Sequence, residues 1–356
     1  MSIEHRAFFM CSNLTSINIP NSITNIKEYT FYKCSKLTSI KISSNITSIG
    51  SSAFEYCVGL TSVNIEDLTA WCKIKFSSSY ANPLYYAHNL YLNGKLVTNL
   101  EIPDEISEIN MYVFCGCTSL TSINIRNNIT SIGNGAFFYC SKLTSVVIPD
   151  SVTSIGESVF YSCANLTSVL LPNTITKISY GTFYKCSALT SIVIPNSVTS
   201  IGGNAFAYCQ SLTSIKIPNS VTSIGDHAFT RCLGLTSVEI PNSVINIYSY
   251  AFYECPGLTS IEIPNGVTNI GDRAFYDCYG LISVTIPNSV TKIGTKTFWG
   301  CSKLNSITCK AINPPSIYNN TFTSTDKILY VPEESIETYK SANYWKQFTN
   351  IQAINN

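Results

Sequence analysis

Fifteen cysteines are the residues of this 356-residue sequence whose chemistry stands out first. Thiols that recur along a chain could form a disulfide framework, hold a metal ion or supply a catalytic nucleophile. Every step between twelve of them is 23 residues, except one step of 60 between Cys57 and Cys117. The members of this register are Cys11, Cys34, Cys57, Cys117, Cys140, Cys163, Cys186, Cys209, Cys232, Cys255, Cys278 and Cys301.

The spacing of the cysteines argues against a metal site. Structural zinc sites use ligands only a few residues apart, as in C-x2-C pairs. The one close pair is Cys115 and Cys117, and the three histidines, His5, His88 and His227, are scattered in unrelated positions. We therefore predict no metal and no cofactor.

The same repetition argues against catalysis. Twelve equivalent cysteines in copied surroundings do not single out one nucleophile with its own base. Glu239 and Glu262 occupy matching positions of adjacent repeats, and strand spacing would bring them to about 5 Å, near the separation found in retaining glycosidases. Nothing in the sequence indicates a pocket around them, so we interpret them as solvated surface charges. We predict no catalytic residues and no enzyme.

A disulfide framework is also disfavoured. Cysteines stacked one strand apart come within disulfide range, but parallel side chains suit the required dihedral angle badly. The register therefore predicts a structural ladder of buried free thiols, each acting as a small apolar side chain at a corner. Cys72, Cys115 and Cys309 lie outside the register and are the better candidates for a reactive or paired thiol.

The elements that position the cysteines repeat with them. The unit reads C-S-x-L-T-S-I-x-I-P-N-S-V-T-S-I-G-x-x-A-F-Y-x, with leucine three residues after and phenylalanine three residues before all twelve cysteines. In residues 189–195, Leu189, Ile192 and Ile194 have the L-x-x-L-x-L spacing of leucine-rich repeats, and Pro195 closes the strand. Residues 198–202 form a second short run. One coil therefore has two strand-like sides and two corners.

The unit and the C-terminal ending resemble the BspA-like (Treponema-type) leucine-rich repeat family of bacterial and some protozoan surface proteins. The resemblance covers nearly the whole chain and implies a β-rich solenoid of about twelve 23-residue coils with a parallel sheet. It also implies a cell-surface or secreted protein that acts in microbial adhesion. No signal peptide or membrane anchor is recognised in the sequence itself.

The repeat sets the expected domains. Residues 1–310 are predicted to form the solenoid and residues 311–356 a C-terminal α/β cap. The chain begins halfway through a coil, so we expect that preceding sequence is missing. Within the cap, residues 311–322 are predicted as a loop, 328–332 as a strand, and 333–345 as a helix that starts just after Pro332.

One insertion, about residues 66–102, interrupts the solenoid. Asn93 and Gly94 lie between two alternating runs and predict a β-hairpin. The insertion is interpreted either as a flap packed on the solenoid or as a binding protrusion.

Composition excludes two classes of partner. Only 12% of the residues are charged and the net charge is +1, which leaves no electrostatic footprint for nucleic acid. No apolar run approaches the ~18 residues of a membrane span. We predict neither nucleic-acid binding nor membrane insertion.

Two surface arrays are candidates for binding. The first is a varied column beside constant Thr and Ser residues, which suits either recognition or mere solubility. Its candidate members are Val147, Leu170, Val193, Lys216, Glu239 and Glu262. The second is an aromatic row two residues before the cysteines, which could serve corner packing, sugar stacking or anchoring of a protein. Its members are Tyr32, Phe138, Tyr161, Tyr184, Tyr253, Tyr276 and Trp299.

These arrays predict a non-enzymatic repeat scaffold with an extended surface for a protein or glycan ligand, host molecules included. The alternative is a structural spacer of a larger surface protein with no ligand of its own. An ice-binding threonine array is a third option, but Lys and Glu in the varied column disrupt the regular lattice that it needs.

Overall fold

The computed structural model describes residues 1–354. The chain divides into two compact units, Met1–Thr174 and Ile175–Asn356. A typical coil contributes one front strand, which begins five residues after the register cysteine, and one back strand, which begins fourteen residues after it.

The first unit has two series of sheets. Its front strands form the sheets β3-β5-β7-β8 and β15-β13-β11-β9, and its back strands form β1-β2-β4-β6 and β10-β12-β14. The strands are β1 (Ser2–Ile3), β2 (Asn25–Ile26), β3 (Ser39–Lys41), β4 (Ser48–Ile49), β5 (Ser62–Ile65), β6 (Lys75–Phe76), β7 (Leu90–Leu92), β8 (Lys95–Leu96), β9 (Asn99–Glu101), β10 (Glu108–Ile109), β11 (Ser122–Asn124), β12 (Ser131–Ile132), β13 (Ser145–Val147), β14 (Ser154–Ile155) and β15 (Ser168–Leu170). The helices are α1 (Leu68–Lys73), a 3-10 turn (Ser79–Ala81) and α2 (Leu84–Ala87).

The second unit repeats this plan and adds the C-terminal helices. Its back strands form one sheet, β16-β17-β19-β21-β23-β25, and its front strands form β18-β20 and β22-β24-β26-β27-β28. The strands are β16 (Lys177–Ile178), β17 (Ser200–Ile201), β18 (Ser214–Lys216), β19 (Ser223–Ile224), β20 (Ser237–Glu239), β21 (Asn246–Ile247), β22 (Ser260–Glu262), β23 (Asn269–Ile270), β24 (Ser283–Ile286), β25 (Lys292–Ile293), β26 (Ser306–Cys309), β27 (Ile328–Val331) and β28 (Asn350–Ala353). The helices are a 3-10 turn (Glu333–Ser335), α3 (Ile336–Ser341) and a second 3-10 turn (Trp345–Gln347).

Equivalent residues of neighbouring coils pair with each other. Ser145 pairs with Ser168 and Ser200 with Ser223, in parallel register and 23 residues apart. Alternation along β13 buries Val146 and exposes its two neighbours, as expected for a strand with one face on the core. The predicted β-rich solenoid with parallel sheets is confirmed.

The core is a stack of phenylalanines. Within each unit, rings of successive coils lie nearly parallel with centroids 5.2 to 5.8 Å apart, as between Phe229 and Phe252. Large aromatic area is therefore removed from water only where coils are stacked, because a single coil cannot cover its own ring.

The corner after each back strand has an unusual backbone. The residues five before and one before every register cysteine have positive φ, for example Lys185 at 58° and Tyr208 at 63°. Side-chain clashes disfavour this left-handed region for all residues but glycine, and most strongly for β-branched ones. Over the described residues these positions hold no Val, Ile or Thr.

The insertion differs from the flap interpretation. β6 pairs with β4 and β7 pairs with β5, so the stretch that includes both helices forms an irregular coil of the solenoid. The reason is apolar content: Trp71 and Phe76 are buried and supply the core contacts of a coil. The hairpin prediction is confirmed, because β7 and β8 pair antiparallel around Asn93 and Gly94.

The C-terminal region also extends the ladders. The stretch predicted as a loop, 311–322, carries Phe322, which stacks on Phe298 at 5.4 Å and bridges to it. The strand prediction is confirmed by β27. Helix α3 is shorter than predicted, and β28 was not predicted at all. The domain boundary at 310/311 stays a prediction.

Candidate binding surface

The register cysteines contribute a hydrogen-bond ladder. Eleven of the twelve are buried free thiols. Most of these S–H groups donate to the carbonyl of the phenylalanine 26 residues earlier, as Cys57 does to Phe31 at 2.9 Å. Thiols with this bond include Cys34, Cys57, Cys140, Cys163, Cys209, Cys232, Cys255, Cys278 and Cys301.

Burial makes these thiols poor nucleophiles. It raises the pKa of Cys34 to about 11 and that of Cys57 to about 12, because the thiolate cannot be solvated there. At neutral pH the ladder is therefore protonated, as its donor role requires.

Two expectations about cysteines are wrong. Cys11 belongs to the register but is exposed. Cys72, Cys115 and Cys309, predicted as the better candidates for a reactive or paired thiol, are buried and free. Burial raises the pKa of all three, to about 12 for Cys72.

The constant part of the front surface holds coils together. Threonine hydroxyls four residues after the cysteines donate to the backbone carbonyl of the equivalent threonine one coil earlier, at 3.0 to 3.3 Å. These donors are Thr38, Thr61, Thr121, Thr144, Thr167 and Thr236. Their hydrogens are thus engaged in the scaffold.

The varied column beside them is exposed. Val147 and Leu170 pair in register on β13 and β15, and each is 60% exposed. In the second unit Val193 is 79% exposed. Lys216 and Glu239, opposite each other on β18 and β20, form an exposed ion pair at 3.4 Å. The role of this column in binding stays a prediction.

A groove of about 430 Å³ lies on the front of the second unit. Glu239 and Glu262 line it, together with Asn242, Asn265 and Lys310. The expectation that these two glutamates lie on a surface without a pocket is therefore wrong. Neighbouring coils separate at this point, which the sequence pattern does not reveal.

The aromatic row is half-buried, and several of its rings stack face to face. Phe138 and Tyr161 stack at 4.5 Å with planes 16° apart, and Tyr253 and Tyr276 stack at 5.1 Å and 12°. Tyr32 stacks in the same way on Phe9. The ring faces that meet in these pairs are not available for stacking on a sugar.

A family model gives the identity of this architecture. The BspA-type leucine-rich repeat region matches in six copies, over residues 1–82, 87–213 and 199–329. The chain belongs to the BspA-type leucine-rich repeat family. The predicted resemblance is therefore confirmed.

The chain is similar to several solved structures. A leucine-rich cell surface protein of Faecalibacterium prausnitzii is 27% identical, with a TM-score of 0.55 over 85% of this chain and 86% of that one. The pneumococcal vaccine antigen PcpA is 18% identical, with a TM-score of 0.59 over 90% and 89%, and this likeness concerns the fold alone. The Treponema pallidum leucine-rich repeat protein is 28% identical over 58% of this chain and 78% of its own, with a TM-score of 0.42. No curated protein matches.

This BspA-type solenoid has surface tyrosines that the row did not include. Tyr56 and Tyr139, one residue before their cysteines, are 47% and 39% exposed. The ammonium of Lys33 lies 5.4 and 5.6 Å from the rings of Tyr32 and Tyr56, within cation–π range. The 23-residue register could have identified this second column, since it places aromatic residues at one corner position in three coils.

The insertion of the BspA-type chain adds to the same surface. Tyr85 meets Tyr80 edge-on at 4.8 Å, Tyr86 at 5.1 Å and Tyr139 at 6.2 Å. Tyr80, Tyr85 and Tyr86 lie in the 60-residue stretch between Cys57 and Cys117, where the register has no cysteine. No sequence signal linked the insertion to the aromatic surface, because its residues are out of register.

Two further findings concern membrane spans and metal sites. Over residues 1–354, no helix is long and apolar enough to cross a membrane. In the same range, no three His, Cys, Asp or Glu side chains are grouped so that they could hold a metal ion.

Proposed function

We propose that this protein is a non-catalytic scaffold that binds a protein ligand through the varied front column. One observation carries the proposal: the hydroxyls of the repeated Thr residues bond neighbouring coils, whereas the apolar members of the varied column beside them, Val147, Leu170 and Val193, are exposed. Val147 and Leu170 are β-sheet residues with 60% exposure. Apolar side chains in such a place are costly in a soluble surface and are typical of interface centres.

A protein is favoured over a glycan as the ligand. Phe138 and Tyr161, like Tyr253 and Tyr276, cover one another's ring faces, which reduces the stacking surface that a sugar would use. The exposed Tyr56 and Tyr139 match the composition of protein-binding hot spots. The glycan remains the second candidate and is an outcome of the same experiment.

The proposed location is a bacterial cell surface, with adhesion as the role. It is supported by membership of the BspA-type family and by the F. prausnitzii relative, a leucine-rich cell surface protein. The absence of a single distinct nucleophile or base among the repeated residues supports a non-catalytic role.

The test is a binding screen of the full chain against extracellular matrix proteins and a glycan array. We expect a protein ligand whose binding is reduced at least tenfold by the double variant Val147→Lys and Leu170→Lys. The matched control, Thr130→Lys and Thr153→Lys, places the same charges on adjacent coils of the back surface and should leave binding unchanged.

Two outcomes would contradict the proposal. An equal loss of binding in both double variants would mean that the ligand binds elsewhere, or that the added positive charge alone weakens binding. Blank screens for both ligand classes would favour the structural spacer.

A further inference from the structure

Asparagine followed by glycine occurs three times in the sequence, as Asn93-Gly94, Asn134-Gly135 and Asn265-Gly266. This pair is chemically labile, because the glycine nitrogen can attack the side-chain amide of the asparagine with no side chain in its way. The attack requires the peptide between the two residues to rotate towards Cγ of the asparagine. How firmly the structure holds that peptide should therefore decide which of the three pairs reacts.

Two of the pairs are held by contacts between coils. The N–H of Gly135 donates to the carbonyl of Glu157 at 2.8 Å, and the side-chain oxygen of Asn134 accepts the N–H of Glu157 at 2.8 Å. Gly266 lies so close to the preceding coil that a Cβ there would stand 1.9 Å from the carbonyl oxygen of Asn242. Rotation of either peptide would disturb these contacts, so ring closure is opposed at both pairs.

The third pair is the exposed tip of the hairpin. Asn93 and Gly94 have φ of 49° and 76°, as the central residues of a two-residue hairpin turn require. Both are exposed, and a Cβ at Gly94 would meet no atom within 4 Å. The Asn93 side chain donates to the carbonyl of Glu66 at a long 3.4 Å. The N–H of Asn93 donates to Ile65, but the peptide that must rotate is the next one, so little opposes its rotation.

We propose that Asn93 is a site of spontaneous deamidation, which changes the charge and the shape of the hairpin tip. The nitrogen of Gly94 bonds to Cγ of Asn93, and the side-chain nitrogen leaves as ammonia with the proton of the Gly94 N–H. Water then opens the resulting succinimide ring at one of its two carbonyls, which gives aspartate or isoaspartate at this position. The reaction consumes one water, releases one ammonia and needs no enzyme.

Deamidation changes the charge of a groove of about 430 Å³ at the front of the first unit. Asn93 and Gly94 line this groove together with Lys41 and Glu66, which form an exposed ion pair at 2.7 Å. The charges of the lining residues therefore balance before the reaction, and the new carboxylate leaves one negative charge in excess. The modification is separate from the binding function proposed above, because it needs no ligand and lies outside the varied column.

The isoaspartate product should also open the hairpin. It adds one atom to the main chain inside a two-residue turn whose register pairs Leu92 with Lys95. The aspartate product keeps the length of the main chain, and aspartate tolerates the left-handed conformation of this position. The N–H of Val97, which donates to Leu90 at 2.8 Å across the hairpin, should therefore distinguish the two products.

Peptide mapping by mass spectrometry tests the site after incubation of the full chain at pH 8 and 37 °C. We expect Asn93 to deamidate at least tenfold faster than Asn134 and Asn265 in the native protein. The three sites should react at similar rates once the chain is unfolded in urea, which controls for the shared Asn-Gly sequence. Equal rates at all three sites in the native protein would overturn the proposal, and so would an Asn93 that remains an amide.

Ion-exchange chromatography and hydrogen exchange test the two products. Two new, more acidic species should form from the native protein, and Asn93→Asp should elute with one of them. Asn93→Gln should form neither species, whereas the matched control Asn134→Gln should form both. In the isoaspartate species the Val97 amide should exchange at least tenfold faster than in Asn93→Asp. Equal protection of this amide in both would overturn the opening of the hairpin.

Discussion

A buried register cysteine joins two coils through a hydrogen bond. Its S–H reaches the phenylalanine carbonyl of the coil before, and that carbonyl already accepts the N–H of its own coil's cysteine, as Phe31 does from Cys34 and Cys57. A thiol suits this place because it is small and apolar yet retains a weak donor. The repeated cysteines therefore serve stability, and their reactivity is suppressed by burial.

Thiol labelling should distinguish one cysteine from all others. In native protein we expect a single fast reaction with Ellman's reagent, at Cys11, because it is the only exposed thiol in the part of the chain that the structure describes. The other fourteen should react on unfolding in urea. Cys11→Ser is the control and should remove the fast phase. Several fast thiols in that variant would contradict the buried ladder.

The ladder should also make the protein sensitive to alkali. The buried thiol of Cys57 has its pKa raised from 9.0 to about 12, so the unfolded chain loses this proton first. Its contribution to stability is complete below pH 9 and is lost as the pH rises from there towards 12, at about 1.4 kcal/mol per pH unit. Urea unfolding at pH 8, 9 and 10 should show the fall.

Cys57→Ala provides the comparison for that series. The variant should be less stable at pH 8, since it lacks the bond to Phe31, but its stability should fall less steeply above pH 9. A slope equal to that of the wild type would show that this thiol does not titrate as described.

At the scale of the coil, the backbone of the corner restricts which residue types can occupy it. Two positive-φ positions per coil accept Gly, Asn, Lys, Tyr and Ser, and the described residues at these positions include no β-branched side chain. Sequence repetition reveals the position of such a corner but not its backbone, since the two sites show no single preferred residue.

Lys185→Val tests the cost of a β-branched residue at one of these positive-φ positions. The left-handed region costs about 1–2 kcal/mol for a residue with a Cβ, and more for a branched one. We expect the variant to unfold at lower urea concentration than Lys185→Asn, by about 1–2 kcal/mol. Both variants lose the contacts of Lys185 with Tyr184 and Tyr208, so their difference reports the backbone alone. Equal stabilities would contradict a strained corner.

How far the sequence predicts this molecule depends on periodicity. The 23-residue register predicted the parallel ladders and the core Phe, and the alternating runs around Asn93 and Gly94 predicted the hairpin. It could not predict that residues 68–87 form a coil, because they carry no copy of the motif. The groove could not be predicted for another reason: Glu239 and Glu262 obey the repeat, and the residue pattern does not show that β20 and β22 do not pair. The orientation of the aromatic rings depends on side-chain torsions that residue types do not determine.

At the scale of a whole unit, stability is a sum over joints between neighbours. The irregular coil of the insertion makes an unusual joint with the coil that follows. Two side chains replace missing backbone donors there: the Asn82 amide donates to the carbonyls of Tyr112 and Val113 at 2.7 and 3.0 Å, and the Trp71 indole donates to Val113 at 3.1 Å. Asn82 is fully buried, so its bonds cannot be replaced by water.

Asn82→Ala should therefore weaken the contact between two coils of the first unit. The coils on the two sides of that contact should then unfold separately. Removing a buried amide leaves the N–H of Leu84 without its partner and costs about 1–3 kcal/mol. Hydrogen exchange should increase for residues 1–65 but remain unchanged for residues 119–174, because each coil contacts only its neighbours. Asn45→Ala removes an exposed amide bond to Asn21 and should change neither segment. A uniform increase over the whole unit would show that its coils unfold together.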